Sequence, residues 1–121
     1  AMAREIPASG RVALYGIYFD SGKADVKPES QAALTEIAKL MKQDSALKLL
    51  VVGHTDTAGG FDYNIDLSKR RAQAVVQALT SSHGVDATRL KPWGVGYASP
   101  VASNRAEDGR AKNRRVELVA W

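Results

Sequence analysis

An acid and a base stand fifteen positions apart in stretches of unlike character. Asp56 sits in Gly53-His54-Thr55-Asp56-Thr57-Ala58-Gly59-Gly60, and Arg71 in Leu67-Ser68-Lys69-Arg70-Arg71-Ala72, with Asn64 between them. The first stretch is built of small and polar residues directly after an apolar run, so it reads as a loop leaving a strand. The second lies near the start of a helix. A carboxylate and a guanidinium fixed on two elements suit a ligand that carries both an ammonium and a carboxylate. This is a recognition pair, and nothing in it obliges catalysis. Seven residues make nearly two helical turns, so Asn64 and Arg71 share a helix face with Ser68 between them. The apolar stripe from Ala72 onward lies about a quarter turn away. Arg71 is therefore expected at the rim of the buried face, with its guanidinium in reach of the Asp56 loop. Thr55, Gly59 and Gly60 leave space and backbone N–H groups near a helix start, which favours a bound carboxylate.

Other chemistry-bearing residues are less pointed. His54 and His83 fall on separate elements with no HExxH or comparable spacing, a poor basis for zinc; His54 reads as structural, ending its strand. With no cysteine in the chain, disulfides and Cys-ligated zinc are excluded, and no metal or cofactor is expected. Lys69 and Arg70 read as solvated charges. In the closing Asn113-Arg114-Arg115-Val116-Glu117, the two arginines alternate along a strand, so one should face the pocket and the other solvent. Asp20 either closes a turn or joins the site, and Phe19 is core, site, or both.

The elements that must position these groups are legible from periodicity. Arg11 to Phe19 alternates, with Val12, Leu14 and Gly16 on one side and Ala13, Tyr15 and Ile17 on the other, as a strand does. Asp20 to Lys23 is a loop. Pro28 suits the first position of a helix whose buried stripe is Leu34, Ile37, Ala38 and Met41 and whose end falls near Asp44. Leu47 to Val52 is too short for a helix and reads as a central strand. Ala72, Val75, Val76 and Leu79 mark a second helix stopped by His83-Gly84, capped at its start either around Asp62 or by Ser68. Leu90 to Tyr97 is a third strand, 100–113 a polar segment with one helical turn around Asp108 to Lys112, and Val116 to Val119 a last strand. The predicted fold is an α/β (α+β) sandwich. A mixed four-stranded sheet carries two main helices on one face, in the order β-α-β-α-β-(short helix or loop)-β. Residues 1–10 read as a flexible lead-in or expression remnant, and 11–121 as one domain.

Composition narrows the class. At 121 residues and 45% hydrophobic, the chain supports one core and not two. No apolar run approaches the ~20 residues that span a bilayer. Ala1-Met2-Ala3-Arg4 is not followed by the apolar stretch of a signal peptide, so any export or anchoring signal is expected outside this sequence. The net charge of +4 permits an anionic partner. A nucleic-acid binder would be expected to interleave aromatics with the basic residues or to show a reading helix, and neither is visible. A hydrolase using Asp56 and His54 is the enzymatic alternative; it lacks a nucleophile elbow, a metal set and paired carboxylates, so the chain is read as non-enzymatic.

Taken in order, Phe19-Asp20, the Gly-His-Thr-Asp loop, Asn64, Leu67-Ser68, Arg71-Ala72, Gly94-Val95-Gly96, Pro100 and Asn113-Arg114-Arg115-Val116-Glu117 resemble the OmpA C-terminal domain family, the OmpA/MotB/Pal-like peptidoglycan-binding domains. The likeness runs from about Val12 to the end. It implies non-covalent binding to peptidoglycan that anchors an outer-membrane or envelope protein to the cell wall, in the periplasm. The family's loop Asp meets the ammonium of the stem peptide's diaminopimelate and its helix Arg the carboxylate, which carries over to Asp56 and Arg71. Supporting contacts carry over to Phe19, Asp20, Thr55, Thr57, Asn64, Leu67 and Arg114. The large Phe61 beside the loop departs from the family pattern and bears on ligand preference. Some members close their last long loop with a disulfide, which this chain cannot form.

Overall fold

The computed structural model describes residues 11–121, with side chains from Ile17 onward. The expected lead-in, 1–10, lies outside the described residues. Strand β1 spans Arg11–Tyr18, helix α1 Gln31–Gln43, β2 Leu49–Gly53, α2 Phe61–His83, β3 Leu90–Gly94, α3 Glu107–Asn113 and β4 Arg115–Ala120. Short 3-10 turns cover Pro28–Ser30 and Ala87–Arg89. The sheet order is β1-β4-β2-β3, antiparallel at β1/β4 and β4/β2 and parallel at β2/β3. A parallel pair needs a long crossover, and α2 supplies it. The open mixed sheet is the expected one.

One layer of apolar side chains joins sheet and helices. Leu34, Ile37 and Met41 of α1 and Ala72, Val75 and Leu79 of α2 are buried at the predicted spacing against Leu49, Val51, Val116 and Leu118. Helix α1 ends at Asp44 as expected, and Arg89 closes that end by donating to the carbonyls of Met41, Asp44 and Leu47. Helix α2 ends on Gly84 at φ 68°, with the Val85 N–H returning to the Leu79 carbonyl.

Ile17, on the Ala13, Tyr15 and Ile17 side of the predicted alternation, lies fully in the core. The pairing of β1 is irregular before it: Leu14 pairs with Val116 and Tyr18 with Arg115, so β1 advances four residues while β4 advances one. One expectation changes in detail. Strand β3 ends at Gly94 rather than Tyr97. There α2 lies directly on the strand, and a Cβ on Gly94 would stand 2.4 Å from the Lys69 nitrogen. The chain then turns, with the Ala98 N–H on the Val95 carbonyl and Gly96 at φ 60°.

That close approach sets the site. A Cβ on Gly53 would meet the Ser68 carbonyl oxygen at 2.0 Å, so only glycine lets α2 settle on the end of β2. Ser68 is buried there, its hydroxyl donating to the Ile65 carbonyl and accepting the Gly96 N–H at 2.9 Å. The Thr55 N–H reaches the Gly96 carbonyl, tying the loop after β2 to the loop after β3.

Candidate functional site

Where β2 runs out, the loop 54–60 turns over the first two turns of α2. The helix begins at Phe61 after Gly60, near the first of the two predicted starts; Gly60 provides no side-chain cap. Asn64 takes over the loop, its amide nitrogen donating to the carbonyls of Ala58 at 2.9 Å and Gly60 at 3.0 Å. Asn64, Ser68 and Arg71 do share one face of α2, and that face is inward.

Arg71 is not at a rim. It is 1% exposed, because the loops after β1 and β2 both fold over it. Its Nε donates to the Lys23 carbonyl at 2.8 Å, Nη1 to His54 at 3.1 Å and Nη2 to Asp20 at 3.1 Å. The guanidinium carbon stands 5.0 Å from the centre of the Phe19 ring. These bonds use three of the five guanidinium N–H groups, and no carboxylate lies within ion-pairing distance among the described residues. Burial pulls the Arg71 pKa down from its ordinary value to about 10, while the nearby Asp56 charge opposes the fall. The group remains a cation at neutral pH.

Asp56 is likewise buried. Its Oδ1 accepts the Ala58 N–H at 2.9 Å, and its Oδ2 pairs with Arg114 Nη1 at 2.8 Å. Arg114 holds three acceptors at once: Asp56, the Phe19 carbonyl through Nε at 3.1 Å, and Glu107 through Nη2 at 2.7 Å. Its pKa is raised above the ordinary value, chiefly by the Glu107 bond. The structure therefore joins Asp56 to Arg114, and Arg71 to the backbone of the same loops.

The remaining predicted residues gather around this pair to different degrees. Phe19 is buried under Arg71, and Leu67 is buried on the same helix face. Asp20 contributes its carbonyl, whereas its carboxylate is exposed on Lys27 at 3.2 Å, and its carbonyl also closes a turn with Lys23. Thr57 lies exposed on the loop. Thr55 Oγ1 and Asn64 Oδ1 are buried with no hydrogen-bond partner among the described residues, two orphans within one loop and helix start. Phe61 is half exposed and packs edge-on against Tyr97 with ring centres 5.5 Å apart.

The expectation that one of Arg114 and Arg115 faces solvent fails. Both are buried, and Arg115 ion-pairs with Glu117, which His54 Nε2 approaches at 3.4 Å. The loop after β3 covers that end of the sheet's second face, its Ser99 carbonyl accepting from Arg115 at 3.0 Å. His54 ends the strand as predicted, joined to this buried cluster. Glu107 was missed: its only sequence signal is the seven-residue spacing to Arg114, which means little until a short helix places both at one end.

The fold is matched in known proteins. The peptidoglycan-associated lipoprotein from Burkholderia pseudomallei superposes with a TM-score of 0.81 at 33% identity, covering 94% of this chain and 92% of that one. The cell wall anchor of the T6SS from Pseudomonas aeruginosa gives 0.73 at 31% identity, over 99% and 93%. In sequence, the probable lipoprotein YiaD of Escherichia coli K12 is 43% identical over 103 residues, 85% of this chain and 47% of the relative. The OmpA family model matches residues 18–114, and the chain belongs to the OmpA family. It spans about half or less of the first curated relatives it matches. No helix among the described residues is long and apolar enough to cross a membrane.

Proposed function

We propose that this domain binds peptidoglycan without covalent chemistry, clamping the diaminopimelate of the stem peptide between Asp56 and Arg71 and so anchoring an envelope protein to the cell wall from the periplasm. The observation that carries the reading is Arg71: a buried cation whose acceptors are all backbone carbonyls, with two N–H groups left over and no carboxylate within ion-pairing distance among the described residues. A folded protein rarely keeps a desolvated charge without a counter-ion, and a ligand carboxylate would supply one. Asp56 spends one lone pair on a loop N–H and one on Arg114, leaving acceptor capacity for an ammonium. Thr55 Oγ1 and Asn64 Oδ1 are further unpaired groups that a polar ligand would satisfy. The family membership and the likeness to a peptidoglycan-associated lipoprotein and a cell wall anchor support the same reading.

Calorimetric titration with a diaminopimelate-containing stem peptide tests it. Asp56→Ala or Arg71→Ala should cost on the order of 2–5 kcal/mol of binding, since each leaves one charge of the bound ligand unmet. A lysine-type stem peptide, which lacks the side-chain carboxylate, should bind far less well. Parental affinity in either variant, with the fold intact by circular dichroism, would defeat the assignment. The hydrolase reading would return only if the protein released soluble muropeptides from purified sacculi.

A further inference from the structure

We propose that Glu107 sets the specificity of this clamp by acting through Arg114, holding its fork so that Asp56 stays open to an ammonium on the ligand. The inference rests on the peptidoglycan reading above and deepens it.

Arg114 divides its terminal nitrogens between two carboxylates, Asp56 on Nη1 at 2.8 Å and Glu107 on Nη2 at 2.7 Å. Geometry decides what a ligand meets. Nε is held on the Phe19 carbonyl and Nη2 on Glu107, so Arg114 presents only Nη1 to Asp56. Freed from Glu107, the fork could turn to grip both Asp56 oxygens, and bidentate pairing would close the carboxylate to a third partner. The Arg114 bond in turn holds Glu107 below its ordinary pKa, so it is ionised at neutral pH. Arg110 Nε steadies the other oxygen at 3.3 Å.

Glu107 is the first residue of α3 and its side chain is 64% exposed, so its charge can be removed without opening the core. It touches no part of the proposed ligand and is a positioning residue. The test compares two stem tripeptides by calorimetry: one ending in diaminopimelate, the other in 2-aminopimelate, which keeps the side-chain carboxylate and lacks the ammonium. In the parent, the ammonium should be worth roughly tenfold or more in Kd, as a charge-assisted bond is. In Glu107→Gln, which keeps the shape and acceptor oxygen, that ratio should fall toward one, chiefly through weaker diaminopimelate binding, while Glu107→Asp restores it. An unchanged ratio in Glu107→Gln, or tighter binding of both peptides, would overturn the proposal while leaving the clamp standing. A parent that binds neither peptide would instead remove the underlying peptidoglycan reading, and this inference with it.

Discussion

Arg71 and Arg115 are the two most deeply buried arginines of the described chain, at 1% and 0% exposure, and they are satisfied in opposite ways. Arg115 meets a buried carboxylate, Glu117, on its own strand and completes its bonding on the Ser99 carbonyl. Its charge is cancelled inside the fold. Arg71 meets three carbonyl dipoles and a ring, and its charge is not cancelled. A buried pair that closes on itself can only hold structure. A buried cation left open, with its backbone cage already built, is what the proposed clamp needs as a preorganised receptor.

The contrast breaks most visibly at the closed pair. Arg115→Ala leaves Glu117 buried without its guanidinium and should destabilise the domain by about 3–5 kcal/mol, read from the urea midpoint. Arg115→Met with Glu117→Leu should recover most of that loss, because both charges leave together. Recovery no better than the single variant would mean that the pair does more than balance charge.

At the open cation the effect should move from stability to binding. Arg71→Met strands no carboxylate within ion-pairing distance, so it should cost less stability than Arg115→Ala. Stem-peptide affinity should still drop by on the order of 2–5 kcal/mol. A larger loss of stability than of affinity would make Arg71 a structural residue after all.

Gly53→Ala tests the seat on which the open site is built. The new methyl meets the Ser68 backbone, and helix α2 must move to admit it. A loss of about 1–3 kcal/mol in stability is expected, with weaker peptide binding as Arg71 shifts. Binding unchanged despite lost stability would detach the site from that contact.

Thr55→Val sharpens the comparison at the smallest scale. Removing a buried hydroxyl that has no partner should leave stability unchanged or raise it by about 1 kcal/mol. On the proposed reading peptide affinity should nevertheless fall, because the hydroxyl would meet the ligand. Equal affinity would show that the orphan is incidental.

Much of this was legible beforehand. The stripes on α1 and α2 were read from spacing because a helix buries every third or fourth residue whatever it packs against. Asp56, Asn64 and Arg71 were picked out because an acid in a small-residue loop and a polar helix face are local patterns. Errors came wherever a side chain's surroundings are supplied by distant chain. Arg71 looked like a rim residue because its own helix says nothing of the two loops that cover it. Arg114 and Arg115 were expected on opposite sides of a half-exposed sheet, but one is enclosed by Glu107 and Phe19, the other by the loop after β3.

By itself, then, the sequence determined the elements, their order, the glycines at the ends of β2 and β3, and which residues carry charge near the loop after β2. These depend on short-range sterics and periodic burial, which neighbouring residues encode. Only the tertiary structure decided who pairs with whom. Asp56 and Arg114 are 58 positions apart, and Arg71 reaches carbonyls as far as 51 positions away. An ion pair is set by a few ångströms of distance and by how much water is excluded, and neither exists until the loops have closed over the end of the sheet.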